Sequence, residues 1–257
     1  MCPLEEQSKR ISQEDVQTLE QEHPSRPGWT HGMMMVKQHV KSSQDTQINL
    51  PHLIRTPATL WNTWKYMVTH ILDIDAEGQD RRFMESRHTK NQDRASNVNI
   101  NMFIWDRSKM IRKDWTMQGY QFGHSHPLCT RFFEEVIAYH IWIEYEVGDK
   151  IALNRPALNN CLKQLCEYYD ADLKNNIKND REAEMRSYYI INQIANNAKE
   201  VVPTLIKDIS HRPEIMKSRF IQDAIALWTA YKTDDYRGYI FVTRKSPSVL
   251  FSCQAYI

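Results

Sequence analysis

IWDRSKMIRKDWTMQ, residues Ile104 to Gln118, reads as the heart of an α-helix spanning about Asn101 to Gln118. At about 100° per residue, Ile104, Ile111 and Trp115 share one face, and Lys109, Arg112 and Lys113 gather on roughly the opposite one. Arg107 joins neither set. It lies at the edge of the apolar stripe, where a guanidinium is normally held by carboxylates or carbonyl oxygens. We read Asp106, Arg107, Ile111 and Trp115 as structural residues. Lys109 and Lys113, four apart, repel by roughly a few tenths of a kcal/mol, which Asp106 partly offsets from one turn back. The stripe of Lys109, Arg112 and Lys113 admits two readings: a solvated basic face, or a surface for nucleic acid or an acidic partner. Either reading expects these three side chains to be largely exposed.

Working outward, the same helical spacing recurs. Upstream, the hydroxyl of Thr56 precedes Pro57 as a cap, and Leu60, Trp64, Met67 and Ile71 follow as one stripe. Residues 78–99 are charged and poorly periodic, the pattern of a surface insertion or a frayed helix. Downstream, a helix starts near Pro127, with Leu128, Phe132, Val136, His140, Ile143 and Val147 in its stripe and Phe133, Ile137 and Ile141 widening it. So broad an apolar face suits a helix clasped on two sides. Leu158, Leu162, Leu165 and Tyr169 mark another helix. Tyr188, Ile191, Ala195 and Ala198 mark the next, and Phe220, Ala224, Leu227 and Tyr231 the one after. Two shorter helices carry Tyr236, Ile240 and Thr243, then Val249, Cys253 and Tyr256.

No segment alternates with period two over a useful length. The fold class is all-α: an α-solenoid of helical hairpins over residues 56–257, preceded by an irregular arm over residues 1–55 with short helical pieces. Seven Gly set against 7 Trp, 12 Tyr and 8 Phe fit long helices with aromatic packing and argue against a β-sandwich or a Rossmann sheet.

Charge decides little, since 33 Lys plus Arg nearly balance 32 Asp plus Glu. Five scattered cysteines, Cys2, Cys129, Cys161, Cys166 and Cys253, form no CxxC pair and are read as reduced packing residues. No apolar run approaches the roughly 18 to 20 residues needed to cross a bilayer, and the first residues lack a signal-peptide stretch. His124, His126 and His140 invite comparison with a metal site, and a hydrolase built on them is the distant enzymatic reading. His140, however, falls in an apolar stripe, which favours a core histidine. No Gly-rich phosphate loop, GxSxG elbow or HExxH motif occurs, so no cofactor or catalytic residue is expected.

Several of these segments together resemble the SAC/GANP family. Leu50 to Asp73, LPHLIRTPATLWNTWKYMVTHILD, is similar to the family's Arg-Pro turn and the helix that it opens. Phe103 to Gln118 resembles its most specific motif, an aromatic-Asp-Arg-Thr-Arg-x-Ile-Arg-Lys-Asp run, with Ser108 for the usual Thr and Lys109 for the second Arg. Met1 to Arg10 is similar to its Met-Cys-Pro-x-x-Glu segment. Asn160 to Tyr169, Glu182 to Ile194 and Phe220 to Ile257 match later helices. The resemblance implies a non-catalytic, PCI-like scaffold in nuclear mRNA export, placed in the nucleus and at the nuclear pore. It further implies a PCI-domain protein subunit and a small acidic proteasome-lid-like subunit as partners, RNA as a further partner through the assembled complex, and no membrane. Family members continue into a winged helix beyond the point where this chain stops. A core fragment and a short member with a centrosomal or splicing-related role are both open. So are an RNA- or DNA-binding module acting through Lys109, Arg112 and Lys113, and a proteasome-lid or translation-initiation component, which the IWDRSKMIRKD run disfavours.

Overall fold

Thr56 opens the first long helix as its sequence suggests: its hydroxyl accepts from the Thr59 N–H at 3.4 Å, and Pro57 occupies the first turn. That helix comes from a computed structural model, which describes residues 2–20, 28, 30–39, 53–72, 93–122, 126–146, 153–198 and 200–245. All regular structure among the described residues is helical. Eleven α-helices occur there: α1 Leu4–Ser12, α2 His31–Met34, α3 Pro57–Tyr66, α4 Asp93–Phe122, α5 Pro127–Glu146, α6 Asn154–Lys174, α7 Glu182–Ala195, α8 Val201–Ile209, α9 Pro213–Met216, α10 Arg219–Lys232 and α11 Tyr236–Lys245. A 3-10 turn, Thr18–Glu20, lies between α1 and α2, and a π-helical turn, Met67–Ile71, extends α3. The chain divides into two compact units, Met1–Phe132 and Phe133–Ile257.

In the first unit α3 packs on α4. Leu60, Trp64, Met67 and Ile71 are all buried, so the stripe read from the sequence is the stripe that packs. The edge of the Trp64 ring meets Phe132 at 5.5 Å. The motif helix is longer than its periodicity indicated, beginning at Asp93 rather than near Asn101. Part of the charged stretch is therefore helix, and residues 78–92 lie outside the described ones. In the N-terminal arm the short helical pieces are α1, the 3-10 turn and α2, and the Cys2 N–H donates to the Met35 carbonyl just after α2 at 3.0 Å.

In the second unit α7 packs against both α6 and α10, and α10 against α11. Its core is aliphatic: Ile190, Ile191 and Ile194 of α7 meet Val202, Ile209, Ile215, Ile221, Ala224 and Leu227. Two faces differ from the sequence reading. On α7, Ala195 is exposed and Ala198 lies past the helix end, while Met185, Tyr189, Ile190 and Ile194 point inward. Tyr188 is kept at the rim because its hydroxyl donates to Glu184 at 2.8 Å. On α10, Ile221 and Ala230 are buried in place of Phe220 and Tyr231. Helices α8 and α9 carry no stripe long enough to read. Val201-Val202-Pro203 is a weak helix former, which packing against α7 overrides. The expected helix through Val249, Cys253 and Tyr256 lies outside the described residues. No helix among the described residues is long and apolar enough to cross a membrane.

Candidate functional site

Helix α4 presents three strips, and each has a different fate. The apolar strip is buried throughout, with Ile104 and Ile111 at 0% exposure and Trp115 at 2%. Trp115 rests against His126 at 5.9 Å and Phe132 at 6.5 Å between ring centroids.

The second strip is charged, and it is buried as well. Arg107 has no exposed surface. Its Nη1 donates to Asp106 Oδ2 at 2.6 Å, its Nη2 to both Glu20 oxygens at 3.3 Å, and its guanidinium lies 4.6 Å from the Phe103 ring centroid. Glu20 in turn receives the Val36 N–H at 2.9 Å and the guanidinium of Arg10, whose Nη1 also donates to the Val36 carbonyl at 3.2 Å. Burial alone would pull Arg10 downward, but the hydrogen bond and charge of Glu20 more than offset it, so its value is raised. Two turns along α4, Asp114 accepts from Lys37 Nζ at 3.2 Å and from Arg55 Nε at 2.7 Å. Burial holds the Lys37 ammonium below its ordinary value although Asp114 opposes the shift. Gln118 completes the strip by donating to the Arg55 carbonyl.

Arg107, Asp114 and Gln118 are seven and four residues apart, so they lie along one flank of α4. That flank grips Glu20, with Arg10 on it, Lys37 and, before α3, Arg55. Burying such pairs fixes one arrangement more than it adds stability, because each ion gives up its water. The sequence reading placed Arg107 at a buried edge, set Asp106 against Lys109 and Lys113 instead, and missed Asp114, Gln118, Glu20, Lys37 and Arg55. The period of Asp114 and Gln118 relative to Arg107 would have found the first two.

The third strip carries the basic residues. Lys109, Arg112 and Lys113 are half-buried rather than largely exposed, which corrects the expectation. Lys109 Nζ lies 5.2 Å above the Trp105 ring, so its stem covers apolar surface. Beside this strip a groove of about 660 Å³ opens, lined by Gln17, Gln38, Asn99, Met102, Trp105 and Asp106 among others. Among the described residues Asp106 is the one charged group in that lining, and it is engaged by Arg107 and by the His39 N–H at 3.2 Å.

The histidines serve separate structures. Nδ1 of His126 accepts from the Leu128 N–H at 3.1 Å and so caps the first turn of α5. His140 is buried, with Nδ1 2.7 Å from Asn154 Oδ1, and Asn154 donates back to the His140 carbonyl and to Glu144. His124 lies outside the described residues. Among those residues no group of three His, Cys, Asp or Glu side chains is placed to hold a metal ion. Cys2, Cys129, Cys161 and Cys166 are buried free thiols, and Cys253 lies outside.

Among the described residues the regular structure is all helical, and the densest charged motif turns inward to hold residues of the N-terminal arm. The SAC3/GANP family profile matches residues 1–257, and the chain belongs to that family. It is 27% identical to Protein xmas of Drosophila melanogaster over 98% of its length, and 25% identical to SAC3 family protein B of Arabidopsis thaliana over 98%. To SAC3 family protein 1 of Schizosaccharomyces pombe it is 25% identical over 93%. It spans only 11%, 14% and 21% of the length of those three relatives. The family is related to mRNA export and is not a known enzyme family.

Proposed function

We propose that this chain is a non-catalytic scaffold subunit of a nuclear, transcription-coupled mRNA-export complex acting at the nuclear pore. The observation that carries the reading is the fate of the motif helix in a chain matched by the family from end to end. Arg107 is engaged by Asp106 and by the chain's own Glu20, and Asp114 by Lys37 and Arg55, an arrangement that shapes a surface rather than transforms a substrate. In this reading helices α6, α7, α10 and α11 belong to the PCI-like helical repeat. Its faces seat a PCI-domain subunit and a small acidic proteasome-lid-like subunit, and RNA is met by the assembled complex.

Co-expression with a PCI-domain subunit and a small acidic subunit, followed by size-exclusion chromatography, tests this. Co-elution as one stoichiometric complex is the expected result. A chain that elutes alone, yet binds RNA with steep salt dependence, would instead make it an independent nucleic-acid module.

A further inference from the structure

The sequence of helix α11, YRGYIFVTRK, carries three cations and no carboxylate. At about 100° per residue its two faces separate. Thr243 is buried, and Tyr239 and Val242 pack against the aliphatic cluster of α7 and α10. The outer arc holds Tyr236, Ile240, Arg244, Arg237, Phe241 and Lys245, in that angular order. Its apolar members face solvent, with Tyr236 at 81%, Ile240 at 43% and Phe241 at 58% exposure. Arg237 and Arg244 run between them as a row, two turns and so about 10 Å apart along the axis.

The charges around this arc do not neutralise it. Among the described residues no carboxylate lies within ion-pair distance of Arg237, Arg244 or Lys245. Lys245 Nζ lies instead 4.2 Å from the Phe241 ring centroid. Asp234 and Asp235 precede the helix, and Asp235 Oδ1 accepts the Gly238 N–H at 3.0 Å as a cap. At the other end Arg219 donates to the Lys245 carbonyl at 3.4 Å, but its Nε faces Asp223 at 3.6 Å, so that pair adds no net charge. Arg244 and Lys245 sit in the last turn, where the helix dipole favours a cation; Arg237 sits in the first, where it does not.

Exposed Arg, Tyr and Phe side chains are the residues from which the centres of protein interfaces are built. Apolar side chains flanking a row of cations call for an occupant that brings apolar cover and carboxylates together. A nucleic acid would meet the cations, but Ile240 gives a base nothing to stack on. The rings of Tyr236 and Phe241 also lie about 140° apart around the helix, on opposite sides of the Arg row. We propose that the outer face of α11 docks an acidic helical segment of a partner protein. Carboxylates seven residues apart on that segment meet Arg237 and Arg244, and apolar side chains beside them cover Ile240 and Phe241. The inference rests on the second unit alone and does not depend on the scaffold reading.

The test is fluorescence anisotropy of the full chain with two labelled, Ala-based helical peptides. One carries two Glu residues seven apart with Leu beside each, and the other has Gln in place of Glu. Wild type is expected to bind the Glu peptide about tenfold more tightly, the effect of two exposed ion pairs, and less so as chloride rises. Arg237→Glu combined with Arg244→Glu changes two exposed side chains, so the melting temperature should hold while the preference disappears. Ile240→Ser combined with Phe241→Ser is expected to weaken both peptides alike, by about fivefold. A chain that binds neither peptide, or both equally, would overturn the proposal, as would a charge-reversed variant that keeps the preference. So would an oligouridylate that wild type holds more tightly than the Glu peptide and that this variant loses, since the face would then serve single-stranded nucleic acid.

Discussion

Arg107 is held by charge on two sides and by the Phe103 ring on a third, with no contact with water. Removing it leaves Glu20 buried against Arg10 alone, so Arg107→Ala is expected to cost about 3–5 kcal/mol in urea unfolding. Arg107→Lys keeps the charge but loses the fork, and should cost less, about 1–3 kcal/mol. Equal midpoints for wild type and both variants would show that the network contributes nothing. The thiols make a second prediction at this scale. Cys2 and Cys166 are both pushed up to about 12, first by burial, with Glu6 adding to the effect on Cys2. They should resist iodoacetamide at pH 8 in the folded chain and react readily in denaturant. Their folded values exceed the ordinary 9.0, so the stability that they contribute is complete below pH 9 and is lost as pH rises towards about 12. Fast labelling of native Cys2 would refute its burial. Periodicity placed Arg107 at a buried edge, yet its partner Glu20 lies 87 residues away, and Lys37 lies 77 from Asp114. Spacing arguments reach a few helical turns and cannot pair charges across such distances.

Helix α4 shows what a single-face reading catches and what it misses. Its apolar stripe was legible because Ile104, Ile111 and Trp115 keep strict helical spacing and are large. The charged flank was not read as a unit, since Asp114 looks like an ordinary surface carboxylate until its period with Arg107 is noticed. Nor was the half-burial of the basic strip, because Lys and Arg stems lie over apolar rings without altering the sequence pattern. Replacing Lys109, Arg112 and Lys113 together with Ala is expected to lower the melting temperature by about 2–4 °C, the effect of roughly 1 kcal/mol lost from packing on Trp105 and its surroundings. RNA titrations at two salt concentrations are expected to give the same affinities and salt slope for wild type and triple variant. A large, salt-sensitive loss in the variant would identify the strip as a phosphate contact of up to three counterions. On α7 the adjacent pairs Tyr188-Tyr189 and Ile190-Ile191 satisfy two neighbouring stripes equally well. Only the packing of α10 on that helix decides between them.

At the scale of the whole molecule, the all-helical class was legible because helical spacing recurs along most of the chain and no period-two segment competes with it. The division into two units was not, because α5 continues across Phe132 without a break in its pattern. The units also differ in what holds them. Both contain buried charge, placed differently: in the second, Arg186 and Arg212 share Glu182 beside the aliphatic cluster of α7 and α10, while in the first the buried charges converge on Glu20 and Asp114 and join the N-terminal segment to α4. That contrast predicts where a single change will be felt. Glu20→Ala leaves Arg10 and Arg107 buried without their shared carboxylate and removes the acceptor of the Val36 N–H. Hydrogen exchange of the full-length variant should therefore show protection lost over residues 10–20 and 30–37 and along α4 near Arg107. Amides of α7 and α10, packed through Ile190, Ile194, Ala224 and Leu227, should exchange as in wild type. Uniform loss of protection in both units would mean that the chain unfolds as one cooperative body. Unchanged exchange over residues 10–20 and 30–37 would mean that these stretches are held by their apolar contacts alone.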